Sequence, residues 1–352
     1  MKHAVRRTGR IAGLFGLLAA LAGGAAWGTK PPDESGAYLK QKEFFKPELY
    51  ISSSHAELEA VASQLPNKQA WDNYQKAREN QGKAKAKAFI DPRSGAATNL
   101  MPAEPLLPGR GVGNAVTLEE LGAKIGKQLS KLDAVAVGDA GLLFVRDHKD
   151  VLAVDLDQLG GIRTTQVHDG LWQISIPQTY KGVPVRYGRL VVSINNGNVV
   201  VAGTETWANV KGLSVNAKVT AEQALAAGFA HAGGGSAMDE MLRQPTLEII
   251  PVAAKEHESN GKFEGPIGAG YKHRLIWSFV FRRAPDEANW EVMVDAHDGE
   301  VLAFQDVNHY VNQSITGGVY PVTSTGICPT NATCGTMQSG WPMPFEIGRA
   351  HV

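Results

Sequence analysis

The sequence predicts an α+β fold: two successive units, each a helix followed by antiparallel strands, after a helical and Pro-rich N-terminal segment. Three observations predict it. Thr117-Leu118-Glu119-Glu120 and Thr220-Ala221-Glu222-Gln223 have the capping-box spacing that opens a helix. Each box is followed by short apolar runs with strand-like alternation. Both sets of strands close on a tight turn, at Asn195-Asn196-Gly197-Asn198 and at His297-Asp298-Gly299.

Composition narrows the functional classes. The chain has 352 residues, room for two or three domains at about 150 residues each. It carries 35 basic and 35 acidic residues, is 43% hydrophobic and 20% charged, and has two cysteines. These values argue against wholesale disorder, a collagen, a multi-span membrane protein and a disulfide-dense scaffold. A general nucleic-acid binder would carry a basic excess, so no nucleic-acid partner is expected.

The first 28 residues read as an export signal. Lys2, Arg6, Arg7 and Arg10 form a basic start, and Ile11 to Ala26 is an uncharged Leu/Ala/Gly run, short for a membrane span of roughly 20. Small residues through Gly28 offer cleavage after Ala26 or Gly28. The expectation is a secreted protein with no stable membrane anchor; an uncleaved anchor is the rival reading. Export suits a small disulfide loop between Cys328 and Cys334, against which stands a metal pair.

In chain order, residues 29–113 are a polar, partly helical segment and linker. Ser54-His55-Ala56-Glu57 has capping-box spacing ahead of Leu58, Val61 and Leu65. Lys83, Lys85 and Lys87 read as a solvated helix face, and Pro92, Pro102, Pro105 and Pro108 mark residues 91–113 as a linker. The first unit, residues 114–212, begins with a helix bearing Leu118, Leu121, Ile125, Leu129 and Leu132 on one face. Strands are expected at Leu142–Val145, Val151–Leu156, Leu171–Ile176, Val183–Val185, Leu190–Ile194 and Val199–Ala202. The second unit, residues 213–310, adds a short helix and strands at Leu247–Val252, Leu275–Phe281, Trp290–Val294 and Val301–Phe304. Each sheet should cover one face with its helix and leave the other free.

No catalytic constellation stands out. No two of the ten histidines have zinc-helix spacing; His257-Glu258 starts such a motif, but position 261 is Gly. There is no Gly-x-Ser-x-Gly elbow, and Gly109-Arg110-Gly111-Val112-Gly113 lacks the last glycine of a dinucleotide fingerprint. Asp295 and Asp298 are read as turn formers, His297 and His309 as exposed, and Trp277, Trp290 and Tyr310 as core or groove aromatics. No catalytic, cofactor or metal residue is assigned in this chain.

Ile176-Pro177-Gln178-Thr179-Tyr180-Lys181-Gly182-Val183-Pro184-Val185 closely resembles the signature of the fungalysin/thermolysin propeptide (FTP) domain, and Gly188-Arg189-Leu190-Val191-Val192 fits the same domain. Tyr187 stands where that family often has Gly. The next unit resembles a PepSY domain, through Thr220–Ala230, Leu275-Ile276-Trp277, Trp290 to Ala296 and Gly299 to Leu302. The resemblance implies cystatin-like units and marks Gln178, Thr179, Tyr180, Gly182, Val183, Pro184, Trp290, Asp295 and Gly299 as fold or partner-contact positions. Gly182 should permit a turn and Pro184 should lie beside an edge strand.

The resemblance also implies the pro-region of a secreted thermolysin- or fungalysin-type zinc metallopeptidase precursor. Its partner would be the catalytic domain in cis, with zinc, and calcium as a further candidate, belonging to that domain. Residues 311–345 read as a linker or the start of the mature protein, with cleavage expected in 311–318. The tail Glu346-Ile347-Gly348-Arg349-Ala350-His351-Val352 matches the translation of a common sequencing-adapter read and is expected to be artificial, the catalytic domain falling beyond a truncated end. The alternative functions are a stand-alone exported PepSY-type peptidase inhibitor and an envelope binding module.

Overall fold

The computed structural model describes residues 37–308, apart from 53, 260 and 261, together with the short paired strands Gly317–Gly318 and Met337–Gln338. The signal, Cys328, Cys334, His309, Tyr310 and the C-terminal tail lie outside the described side chains. The N-terminal segment forms α1 (Ala37–Lys40), β1 (Phe44–Phe45), β2 (Ala56–Glu57), α2 (Leu58–Val61), α3 (Lys68–Asn80), β3 (Lys87–Ile90), β4 (Ala97–Met101) and β5 (Glu104–Pro105). The first unit adds α4 (Leu118–Ile125), α5 (Ala134–Asp147), α6 (Lys149–Leu152), β6 (Arg163–His168), β7 (Leu171–Tyr180), β8 (Val183–Asn195) and β9 (Asn198–Glu205). The second comprises α7 (Ala221–His231), β10 (Asp239–Ala253), the small hairpin β11 (Glu258–Ser259) and β12 (Lys262–Phe263), and β13 (Tyr271–Arg283), β14 (Asn289–Asp295) and β15 (Val301–Asp306).

The α+β prediction holds, and two capping boxes form as read. Thr117 Oγ1 accepts from the Glu120 N–H while the Glu120 carboxylate accepts from the Thr117 N–H; Thr220 and Gln223 repeat the exchange at α7. The third box does not form. Ala56 and Glu57 pair instead with Ile90 and Phe89, so α2 starts without a side-chain cap.

Leu142–Val145, expected as a strand, lies inside α5, which Asp133 caps by accepting from the Ala136 N–H. The Leu-Leu-Phe-Val run is apolar on all sides because this helix is deeply buried on the sheet. Gly141 brings it close: a Cβ there would lie 2.1 Å from Ile174 Cδ1. The second unit repeats the device, a Cβ at Gly228 of α7 lying 2.6 Å from Phe279 Cζ. Val151–Leu156 is likewise helix and turn rather than strand. The first-unit helix stops at Gly126 (φ +69°), short of Leu129 and Leu132.

Residues 91–113 are no free linker. β4 pairs with β3 and with β9, and β5 pairs with β9. Prolines punctuate this stretch without detaching it, and Lys87, expected on a helix, begins β3. The N-terminal segment also closes the second unit: β1 pairs with β15, and Leu49 packs in one cluster with Ile250, Val252, Ile276, Met293, Leu302 and Ala303. Among the described residues, the free second face expected of each sheet is therefore left in the first unit, where Gln173, Arg189, Val191 and Val201 line an open concavity.

All the long strands share one sheet, in the order β1-β15-β14-β13-β10-β8-β9-β4-β3-β2, with β7 and then β6 branching from β8. β8 makes the connection. Its second half pairs with β9, while Val185 near its start bridges Ile249 of β10 in parallel. The change of neighbour coincides with a bulge. Pro177 pairs with Arg189 but Thr179 pairs with Pro184, so extra residues of β8 loop out around Tyr187 (φ +66°). β8 is thus internal, and Pro184, expected beside an edge strand, is an exposed residue at the start of an interior one.

Lys181 and Gly182 are the two central residues of the β7–β8 turn, at φ +50° and +82°, the left-handed pair of a type I′ hairpin. Nothing lies within 4 Å of a Cβ built on Gly182, so its conformation alone requires glycine. Gly182→Ala should cost about 1–2 kcal/mol, the penalty for an L residue in this region. Gly197→Ala, in the next hairpin, should cost more, because its Cβ would also meet Leu107 O at 2.4 Å. Urea unfolding of the two variants checks the ranking.

Candidate functional site

The signature residues converge on the joint between the two units. Gln178 is fully buried, and its Nε2 donates to Gln158 Oε1 and to Ala208 O, both at 2.9 Å. Gln158, also buried, accepts from the Val210 N–H at 2.9 Å and donates to Val210 O at 3.0 Å and Asp155 Oδ2 at 3.1 Å. Two glutamines thus fasten the connection after β9 to the first unit, meeting the backbone of half-buried Ala208 and buried Val210. Gly188 is required beside them: a Cβ there would lie 2.4 Å from Gln178 Oε1.

Tyr180 and Val183 turn toward the second unit. They pack around Val185, Val210, Ile249, Leu275 and Ala296, a cluster drawn from both units and the connection. Thr179 pairs with Pro184 in the hairpin, and Pro177, Lys181, Gly182 and Pro184 are the exposed part of the motif.

Beyond the bulge lies a charged ledge that the sequence reading missed. Arg186 Nη2 donates to both carboxylate oxygens of Glu291, at 2.7 and 2.9 Å, and Arg243 Nη2 donates to Glu291 Oε1 at 2.6 Å. Glu248 completes the group, accepting from Arg243 Nη1 at 3.1 Å, and Gln305 Nε2 donates to Glu291 at 3.2 Å. Glu291 is only 2% exposed. Burial opposes the charge on Arg186, but the carboxylates of Glu291 and Glu248 outweigh it and raise the pKa of the guanidinium. One signal was available: Glu291 shares a strand face with Met293, an acidic residue on what proves an apolar surface.

A second missed cluster ties the N-terminal segment to the far end of β13. Asp91 accepts from the Arg93 N–H, from Tyr271 Oη at 2.9 Å and from Ser94 Oγ at 3.2 Å; its burial raises its pKa. Arg93 is 1% exposed, ion-paired with Glu258 and set over the Phe263 ring. Gly268 and Gly270 donate to the carbonyls of Pro92 and Arg93. His257 and Glu258, the aborted zinc motif, belong to this docking.

The closing hairpin behaves as read. Trp290 stacks on Phe304 at 4.8 Å and donates from Nε1 to Asp286. Asp295 accepts from the His297 N–H at 2.8 Å, Asp298 accepts from the Glu300 N–H, and Gly299 turns at φ +82°. His297, expected exposed, is half-buried, and Trp277 donates to Val219 O from the core edge. Among the described residues no group of three or more His, Cys, Asp or Glu is placed to hold a metal, and no helix is long and apolar enough to cross a membrane.

Residues 218–304 match the PepSY family, described as the peptidase propeptide and YPEB domain. Among solved structures the chain is similar to the Bacillus megaterium YpeB C-terminal domain, at 10% identity and a TM-score of 0.27, covering 71% of this chain and 98% of that one. No curated protein matches the chain.

Glu291→Ala would leave Arg186 and Arg243 sharing Glu248 as their one carboxylate. It should cost about 2–3 kcal/mol, below the roughly 3–5 of a fully orphaned buried charge because Glu248 remains and Arg243 is partly solvated. Arg189→Ala, which breaks an exposed pair with Glu205, should cost about 1 kcal/mol or less. Denaturant midpoints of the two variants against the parent chain test the contrast.

Proposed function

We propose that this chain is the pro-region of a secreted zinc metalloendopeptidase, and that it templates the folding of the catalytic domain and silences it until removal. The observation that carries this reading is chain order. The FTP-like signature at 176–185 is followed directly by a unit that matches a peptidase propeptide family over residues 218–304. The signal-like residues 1–28 support export.

The chemistry asked of these residues is binding. The first unit offers two surfaces for it. β6 pairs with β7 alone among the described strands, so its outer edge has main-chain donors and acceptors for an added strand. The concavity of about 590 Å³ on the open face of β7–β9 is lined by Gln173, Arg189, Asn99 and Glu205, side chains suited to a peptide backbone. Covalent linkage to the catalytic domain raises the effective concentration, so a modest intrinsic affinity suffices. A template that binds a partly folded partner lowers its folding barrier and leaves a product whose persistence is kinetic.

The test is refolding in trans. A denatured thermolysin-type zinc metalloendopeptidase catalytic domain, diluted from denaturant with and without the purified chain, should recover more activity with it. The native enzyme should be inhibited by the same chain in a concentration-dependent way. No gain in recovered activity together with no inhibition at large excess would overturn the proposal.

A further inference from the structure

α5 does not stop at the edge of the sheet. A Cβ at Gly138 would lie 2.8 Å from Thr164 Oγ1 of β6, and one at Gly141 would lie 2.1 Å from Ile174 Cδ1 of β7. Thr164 and Ile174 are directly paired. Three residues of helix, about 4.5 Å of rise, therefore carry α5 from one strand to the next, a spacing of about 4.8 Å. The same step back from Gly138 reaches Val135, one strand spacing outside β6, where no described strand lies. Val135 is 64% exposed, and Ile162, beside Gly138, is 36% exposed. The first turn of α5 is thus an apolar shelf one strand wide, projecting past the edge of the sheet.

β6 supplies the rest of a seat. Thr164 is turned to α5, while Arg163 and Thr165 pair with Ser175 and Gln173 on the open face. Arg163 is exposed and forms no ion pair among the described residues.

We infer that an extended segment of the catalytic domain adds to the outer edge of β6 and is selected by its alternate side chains. Those on the α5 side are small and apolar, over Val135 and Ile162. On the open side a carboxylate stands across from Arg163. This rests on the reading of the chain as a peptidase pro-region. Depth sets the size of the apolar residues. α5 lies so close beneath β6 that position 138 has no room for a Cβ, and one strand further out the shelf already carries the Val135 side chain.

A second copy of the chain fits this edge less well. β6 reads Arg163-Thr164-Thr165-Gln166-Val167-His168 and has no acidic residue to set against Arg163. A short strand edge with one helical turn beneath it also falls below the roughly 1,200 Å² that stable free complexes bury. A segment tethered in cis needs less, because its effective concentration is high.

Val135→Glu and Arg163→Glu test the two halves of the seat, in the refolding and inhibition assays with a thermolysin-type catalytic domain. Val135 is the second residue of α5, where a carboxylate suits the helix dipole, so the fold is kept while a charge enters the shelf. Each variant should inhibit roughly tenfold or more weakly than the parent chain, since an added strand would bury a charge that is unpaired or faces its like. Arg163→Lys, which keeps the charge, should retain most of the inhibition. Hydrogen exchange of residues 163–168 in the parent chain should slow when the native enzyme is added. Inhibition by the parent with unchanged exchange in 163–168, or with both Glu variants equal to the parent, overturns this inference and leaves the proposed function standing. No rescue and no inhibition by the parent removes both. A parent chain that sediments as a dimer, with the Val135→Glu variant a monomer, assigns the edge to a second copy and overturns the occupant inferred here. Should a variant fail to fold, exchange in the parent chain decides.

Discussion

The structure depends on Gln178 and the bulge it faces. A strand can change neighbours partway along only if its backbone leaves one ladder before joining the next. β8 does this between Val185 and Arg189, and the cost is a stretch of main chain with no regular partner. Gln178 occupies the space under the looped-out residues, which is why Gly188 admits no side chain. Its amide reaches past them to Ala208 and to Gln158. Without that amide the Ala208 carbonyl and Gln158 would each lose their Gln178 donor. A shared sheet across both units is thus the result of one hydrogen-bonded glutamine pair and one bulge.

The N-terminal segment adds the second constraint. Residues 44–49 seal the apolar face of the second unit, and residues 91–105 bind the first unit while Arg93 reaches Glu258 in the second. Buried ion pairs such as Arg93–Glu258 and Arg186–Glu291 contribute little net stability, because desolvation offsets most of the attraction. What they supply is geometry, since a misregistered arrangement would leave each charge alone. The joint is therefore held in one relation by apolar packing and kept from alternatives by charge.

Legibility in the sequence followed the range of each interaction. Capping boxes at Thr117 and Thr220 and the turn at Asn196-Gly197 are local, and all three formed. Leu142–Val145 was misread because a buried helix loses its polar face and then resembles a strand. Gly138 and Gly141 were the available clue, since two glycines four residues or fewer apart in an apolar run mark close helix packing. The pairing of β4 and β5 with β9 spans about a hundred residues of chain, and prolines hid it. Arg93 could not be singled out from sequence, because its partner Glu258 lies 165 residues away in the second unit.

This bears on what the FTP-like signature means. Gln178, Tyr180, Val183 and Val185 face inward, to the connection and to Ile249 and Leu275 of the second unit. Pro177, Lys181, Gly182 and Pro184 are left on the surface. Most of the motif therefore specifies how a first unit docks on the PepSY unit that follows it, and little of it is available to a partner. On the proposed function, the surface for the catalytic domain is the open face and free edge of the first unit, which lie outside the motif.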